Sequence, residues 1–395
     1  MKNRLPARRK KILLSVVVIL SLMSISINGL NCSNSDNTYN EESINVITAM
    51  SGAAGPGYEV ANKPIVFSFP QDHGAHESFK NEWWYFTGNL YDDTGRRFGY
   101  QLTFFRIALS PQEISRSSNW ATNQVYMAHL AISDVENRKF HAFEKINRES
   151  MGLAGFDEDI FRVNVENWYI AGQDDGTFPW RLYGVKEGIE LSLTVEPSKE
   201  IILQGENGLS RKSLDGNNAS YYYSITRLTT EGYIEINGTM YNVRGLSWLD
   251  REWSTSTLSE EQSGWDWFSL QFDNDTDLMY FQLRNKDGSV YPYNEGMIVK
   301  PDSSTIRLKT GDVKLKIRRY WQSPIGGDYP VEWEAEIIPL GRTVILKAVF
   351  PEQELALSTR YWEGSINIYD MEDPTSIIGQ GYMELTGYAE TFFNR

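Results

Sequence analysis

From Lys63 onward the chain alternates short aromatic and β-branched runs with clusters of Gly, Asn and Asp. The runs EWWYFTGNL, FGYQLTFFRIAL, VYMAHLAI, YYYSITRL and YIEINGTMYNV, followed by WDWFSLQF, LMYFQLR, VKLKIRRYW, TVILKAVF, SINIYD and GYMELTGY, predict strands of roughly six to ten residues. No comparably long stretch has the period of an amphipathic helix. Turn signals at Asp93-Thr94-Gly95, Glu231-Gly232, Asn237-Gly238 and Lys286-Asp287-Gly288 predict hairpins. The pattern describes an all-β protein of antiparallel barrels or sandwiches.

One pattern occurs twice. Trp83-Trp84-Tyr85-Phe86 leads through a turn into Gln101-Leu-Thr-Phe-Phe-Arg106, and Trp265-Asp266-Trp267-Phe268 leads into Tyr280-Phe-Gln-Leu-Arg284. An aromatic strand, a turn and a strand ending in arginine point to a duplicated barrel module. The Ser/Thr/Glu-rich stretch 254–263 separates the two copies, which places the domains at 63–254 and 255–395.

Before this body, Lys2, Arg4, Arg8, Arg9, Lys10 and Lys11 precede an apolar stretch from Ile12 to Ile27 that is interrupted by four serines. This is the pattern of a bacterial export signal over residues 1–31, and the serines disfavour a permanent span. Cys32, directly after it, is placed like the acylated first residue of a mature bacterial lipoprotein. The expectation is a periplasmic or cell-envelope protein on an N-terminal lipid anchor; the alternative is simple cleavage and secretion as a soluble protein. Residues 32–62, rich in Ser, Asn, Glu and Gly, are expected to form a flexible tether.

The formal net charge of −14 leaves no basic surface for a phosphate backbone, so nucleic acid is excluded as a partner. Loss of the signal, with its six cations, makes the chain more acidic still. A single cysteine allows neither an intrachain disulfide nor a thiolate metal cluster, and four histidines give little scope for a His-rich metal site. No cofactor is expected. Chemistry has to rest on carboxylates, aromatics and a few histidines.

The strings HESFKNEWWYFTGNL, FGYQLTFFR, AHLAISD, GLSWLDREWSTS, GWDWFSLQF and GYMELTGY, in this order between about residues 64 and 390, resemble the CrtC/AttH-like family. That family includes carotenoid 1,2-hydratases and proteins labelled secreted hydrolases. The resemblance implies two lipocalin-like β-barrels packed side by side, an architecture shared with fungal enzymes that shape polyenes by Diels-Alder cyclisation, and a large greasy pocket for a long apolar substrate. In the hydratases a His-Asn-Trp tripeptide and a later Tyr-x-Asp supply the acid chemistry. Here Arg251-Glu252-Trp253 and Tyr280-Phe281-Gln282 stand in those places, so the sequence resembles the AttH-type branch.

Several residues are candidates for chemistry on their own pattern. Asp250 and Glu252 share one strand face within Trp248-Leu-Asp-Arg-Glu-Trp253 while Arg251 points to the other. Carboxylates beside tryptophan can have raised pKa values and act as general acid and base; otherwise Arg251 forms a salt bridge that pins the junction of the barrels. Asp266 alternates with Phe268, Leu270 and Phe272, which requires it to be paired, protonated or at a wet edge, with Arg251, Arg106 or Arg284 as partner. His129 shares a strand face with Met127 and Ala131, as either a satisfied core histidine or a proton donor lining a cavity. Asp72, His73, His76, Glu77 and Glu82 crowd the approach to the first aromatic strand. No helix is predicted to present the two histidines on one face, so no metal is assigned, and His76 and Glu82 are read as hydrogen-bonding groups at a barrel mouth. Trp84, Arg106, Trp248, Trp253 and Trp265 complete the candidate ligand-binding set. No Gly-x-Ser-x-Gly elbow is present and no serine has an evident His and Asp around it, which leaves the hydrolase label without a motif.

Two functional readings follow. The first is an exported lipocalin-like binder of an apolar, lipidic or isoprenoid molecule, exchanged with an ABC-type envelope transporter. The second is an enzyme of the carotenoid hydratase type, or another lyase or cyclase, acting on an isoprenoid or polyene with Asp250, Glu252, His129 or Asp266 as proton donor. Convergence of these four side chains on one cavity discriminates between them. A third reading, an interaction scaffold, requires the barrels to be filled by their own aromatics.

Overall fold

The computed structural model describes residues 56–389 except 113–117, 119–120, 217, 255–257 and 260. The export segment and Cys32 lie outside the described residues. In chain order the strands are β1 (Asn81–Asp92), β2 (Arg97–Ala108), β3 (Gln124–Asp134), β4 (Lys139–Arg148), β5 (Ala154–Asp157), β6 (Arg162–Val165), β7 (Trp168–Ala171), β8 (Trp180–Lys186), β9 (Ile189–Pro197), β10 (Ile202–Leu203), β11 (Leu209–Arg211), β12 (Ala219–Ile236) and β13 (Thr239–Ser254). They continue as β14 (Gln262–Phe272), β15 (Asp277–Asn285), β16 (Glu295–Val299), β17 (Thr305–Leu308), β18 (Val313–Gln322), β19 (Asp328–Ile337), β20 (Arg342–Ala348), β21 (Glu354–Ala356), β22 (Arg360–Asp370) and β23 (Ile377–Thr386).

The strands form two antiparallel sheets, β4-β3-β2-β1-β13-β12-β9-β8-β7-β6-β5 and β17-β16-β15-β14-β23-β22-β20-β19-β18, with β10 and β11 added to β12 and β21 added to β22. Each sheet curls into a nearly closed, lipocalin-like barrel. The two share one plan. The first strand of each lies in the middle, with the next three strands on one side and the last strand of the sheet on the other. The register carries the duplicated motif with it: Tyr85 and Phe86 face Asp250 and Leu249 across β1 and β13, and Trp267 and Phe268 face Glu384 and Met383 across β14 and β23. Asp250 and Glu384 therefore occupy equivalent positions in the two copies.

Both interiors are packed with their own side chains. Trp84, Phe86, Tyr100, Phe104, Trp168 and Trp180 fill the first, and Phe268, Leu270, Trp333, Trp362 and Leu385 belong to the second. At 150 Å² or more per ring, such aromatics dominate the energy of a core. The greasy pocket implied by the family resemblance is thus not a hollow barrel lined by these residues.

Three local expectations change. Strands β12 and β13 run to 18 and 16 residues, well beyond six to ten, and β12 joins two of the aromatic runs through a bulge between Ile225 and Leu228. Glu231-Gly232 is consequently no turn: it lies inside β12, where a Cβ on Gly232 would sit 2.1 Å from the Ser192 carbonyl oxygen of β9. That glycine serves close strand approach. Asn237 and Gly238, both with positive φ, do make the tight turn from β12 to β13. The end of the predicted tether is fastened to the first barrel, with the Tyr58 hydroxyl donating to the Ala108 carbonyl at 2.8 Å and Ala61 fully buried.

Candidate functional site

The central strands of both sheets are buried on two sides, because one face looks into its own barrel and the other meets the neighbouring barrel. On the first sheet, cross-strand neighbours Tyr222, Glu252, Trp83 and Phe105 form a row over β12, β13, β1 and β2. On the second, Glu363, Glu384, Trp267 and Phe281 form the corresponding row over β22, β23, β14 and β15. Both rows line a cavity of about 70 Å³, whose wall also includes Tyr85, Asp250, Trp265, Tyr361 and Lys212.

Four carboxyls on an aromatic wall cannot all be comfortably ionised. Burial pushes the Asp250 carboxyl up to about 7, against hydrogen bonds from Ser224, Tyr222 and Trp248 and with the Glu252 charge adding to the rise. The Ser224 hydroxyl and the Trp248 indole N–H donate to Asp250 Oδ1 at 2.5 and 2.7 Å, and the Tyr222 hydroxyl bonds to Oδ2 at 2.6 Å. Glu363 and Glu384 are direct cross-strand neighbours. Burial and mutual repulsion raise Glu363 well above the usual carboxylate range, opposed by its Tyr85 and Tyr361 partners. Burial raises Glu384 too, opposed by the Trp265 indole and reinforced by Asp250 and Glu252. Glu252 is held differently: it accepts from Ser220 and lies 3.2 Å from Lys212 Nζ, which itself sits 4.1 Å from the Phe281 ring centre.

The sequence candidates sort into three places. Asp250, Glu252 and Trp265 line the cavity, and Trp248 supports Asp250 from behind. His129 stands one bond away, with Nδ1 2.7 Å from the Tyr361 hydroxyl. Asp266 does not join them. It points into the second barrel, bonded to Gln282 and Tyr388 at 2.8 Å and ion-paired with Arg284 at 3.2 Å, so Arg284 is the partner among the three arginines considered.

The remaining candidates, His76, Glu82, Trp84, Arg106, Arg251 and Trp253, assemble at the mouth of the first barrel. Glu82 is fully buried between Arg106 and Arg251 and accepts hydrogen bonds from the His76 backbone N–H at 3.0 and 3.1 Å. Burial disfavours its charge, but the two guanidinium groups outweigh this and hold the carboxyl well below its ordinary range. Arg251 stacks 3.9 Å from the Trp84 ring centre and donates to the backbone carbonyls of His73 and Gly74. His76 lies flat on Trp253 at 3.7 Å. Arg251 therefore clasps residues 73–76 onto the first barrel, and does not pin the junction of the two barrels as the salt-bridge alternative had it. Close by, burial and the Arg251 charge push His73 down to about 3, leaving it a neutral partner for the Tyr223 hydroxyl. Among the described residues no group of three or more His, Cys, Asp or Glu is arranged to hold a metal ion.

Comparison with known proteins agrees with this architecture. The AttH-like family profile matches residues 60–388. The chain belongs to the AttH-like family. An AttH-type protein of known crystal structure from Nitrosomonas europaea is 34% identical, with a TM-score of 0.73 over 83% of this chain and 100% of that one. The crystal structure of kievitone hydratase from Nectria haematococca shares the fold at a TM-score of 0.63 and 15% identity, covering 85% of this chain and 98% of that one. In sequence, kievitone hydratase of Fusarium solani subsp. phaseoli is 20% identical over 214 residues, 52% of this chain and 59% of that protein. The AttH-like chain thus spans about three-fifths of that curated relative.

Glu363, Glu384, Lys212 and Tyr361 were not singled out from the sequence. Glu384 shares its strand face with Tyr382 and Thr386, and Glu363 shares its face with Tyr361 and Ser365, so neither sits on the purely apolar face that marks Asp266. Alternation alone does not say which of two buried faces is a barrel interior and which is an interface.

Proposed function

We propose that this AttH-like protein is an acid-catalysed hydratase or lyase acting on a carbon–carbon double bond that an apolar, isoprenoid-like or polyene substrate inserts into the inter-barrel cavity. The observation that carries the reading is a set of buried carboxyls with raised pKa facing an aromatic wall. An acid with a pKa near the working pH combines a useful protonated fraction with a real tendency to donate. In the hydration direction Asp250 gives its proton to one alkene carbon. The rings of Trp83, Tyr85, Trp267 and Phe281 stabilise the cation left on the other. Water adds there and loses a proton to Glu252. The donors from Ser224, Tyr222 and Trp248 are already placed to receive the Asp250 carboxylate as its charge develops. The name of the kievitone hydratase relatives fits this class of reaction.

An apolar carrier would use the same aromatic walls without needing the acids, and filled barrel interiors satisfy one condition of a scaffold. The carboxyls favour chemistry, since burying them costs several kcal/mol that a passive pocket would not spend. Incubation with a panel of linear isoprenoid and polyene alkenes in ¹⁸O-labelled water should yield a product carrying one labelled oxygen by mass spectrometry. Retention of every alkene as a bound, unchanged ligand would sink the enzyme reading in favour of the carrier. The export pattern supports placing this reaction in the cell envelope. Cys32→Ser is expected to move the protein from the membrane fraction to the soluble fraction; unchanged retention would overturn the lipid anchor.

A further inference from the structure

Each hydration leaves Asp250 without its proton and Glu252 with one from water, so the buried carboxyls have to redistribute protons before the next turnover, and solvent is the reservoir with which they equilibrate. One chain of hydrogen bonds crosses the seam between the barrels. On the first barrel, Glu144 of β4 has 17% of its side chain exposed, and its Oε2 lies 3.0 Å from His129 Nε2. His129, on β3, is buried and places Nδ1 2.7 Å from the hydroxyl of Tyr361 on β22 of the second barrel. Their ring planes are inclined by 28° with centres 5.7 Å apart. Tyr361 and Glu363, two residues apart on one strand face, both line the cavity. Glu363 accepts from the Tyr85 hydroxyl through Oε1 at 2.6 Å. Its other oxygen, Oε2, is buried and makes no hydrogen bond of ordinary geometry, while the neighbouring Tyr361 hydroxyl still favours the ionised carboxylate.

The geometry points to a proton relay, Glu144 to His129 to Tyr361 to Glu363, that connects solvent with the cavity carboxyls; it rests on the acid-catalysis reading above. When Glu363 is ionised, the Tyr361 hydroxyl donates its proton to Glu363 Oε2. The N–H at His129 Nδ1 replaces the tyrosyl proton, and Glu144 delivers a solvent proton to Nε2. Each transfer breaks one O–H or N–H bond and makes another, so the net change is one proton moved inward. Imidazole suits the middle position because its two nitrogens face opposite directions and can be loaded and unloaded separately. His129 and Tyr361 are relay residues that act through Glu363: His129 stands behind the cavity wall and Tyr361 forms part of it.

The feature has a cost that a purely structural contact need not bear. A phenylalanine at 361 would pack the same ring, and the hydroxyl and the imidazole bring polar atoms into a region whose neighbours include Phe105, Met127 and Ala131. Placing a titratable side chain between two barrels is worthwhile where protons have to pass.

The test needs no substrate. In the intact protein at neutral pH, the protonated-carboxyl stretch of Glu363 is identified by infrared spectroscopy from its loss in Glu363→Gln, and its shift is followed after rapid transfer into D₂O. Tyr361→Phe and His129→Gln should each slow this exchange about tenfold or more, and Glu144→Gln at the outer end should slow it as well. Merely loosening the structure acts in the opposite direction, because local opening speeds exchange. Unchanged or faster exchange in folded variants would overturn the relay. If Tyr361→Phe or His129→Gln fails to fold, Glu144→Gln decides the matter by the same criterion. A wild-type protein with no protonated-carboxyl band at all overturns the acid reading itself, which separates that failure from failure of the relay alone.

Discussion

Asp250→Asn is expected to lower turnover by about 10²- to 10⁴-fold, the range that a positioned general acid contributes, while leaving the barrels folded. Asn reproduces the shape of the protonated acid. Its Oδ1 can accept from Ser224 and Trp248, and its Nδ2 can donate to the Tyr222 oxygen, so the surrounding network survives. What is lost is the transferable proton. Stability should move the other way. The folded Asp250 carboxyl titrates near 7 and an unfolded one near 3.8, so its contribution is fully present below about pH 4 and is lost as pH rises toward 7. That difference corresponds to on the order of 4 kcal/mol in the wild type at high pH. Asn does not ionise, and the variant should melt at an equal or higher temperature than wild type at pH 8. Calorimetry from pH 4 to 8 beside the labelled-water assay checks both halves. A variant that keeps more than a tenth of wild-type turnover would remove Asp250 from the role of proton donor.

The second large effect lies on the opposite face of the same sheet, on β1. Glu82→Gln is expected to destabilise the protein by about 3–5 kcal/mol, the usual cost of leaving buried charge without its partner. Arg106 and Arg251 would then face each other across a neutral amide. The sign with pH is opposite to that of Asp250. Glu82 is held below the ordinary carboxylate range, so its stabilisation is present above that range and disappears as pH falls through the folded-state pKa. Urea unfolding should therefore give wild type a steeper loss of stability in acid than Glu82→Gln. Amide exchange in residues 73–76, the segment clasped by Arg251, should rise in the variant. Turnover measured well below the melting temperature should stay close to wild type, because this cluster and the cavity lie on opposite faces of β13. A cost under about 1 kcal/mol would mean that the arginines do not depend on Glu82.

Much of the architecture was readable because its signals are local. The two aromatic motifs, the Asn237-Gly238 hairpin and the alternation of Asp250, Arg251 and Glu252 each depend on a few consecutive residues, and all are present as expected. Glu231-Gly232 misled because a glycine needed for strand contact at Ser192 looks the same in sequence as one needed for a turn. The candidate site was half legible for a related reason. Asp250 and Glu252 stood out beside two tryptophans, whereas Glu363 and Glu384 become notable only once pairing brings them opposite each other and a second barrel covers them. Arg251 and Trp253 adjoin those acids in sequence but serve the mouth of the first barrel, since successive residues of a strand belong to opposite faces.

The two rows that line the cavity belong to the outsides of filled barrels. In a hollow barrel every change of specificity disturbs the core that holds the fold together. Here Trp83, Phe105, Trp267 and Phe281 line the cavity from outside the barrels, while Trp84, Phe104, Trp180 and Trp333 pack the interiors. On the proposed function, folding and substrate choice are thus written on alternate residues of the same strands. A lineage built on this plan can diversify its chemistry by editing every second position, and keep its scaffold in the ones between.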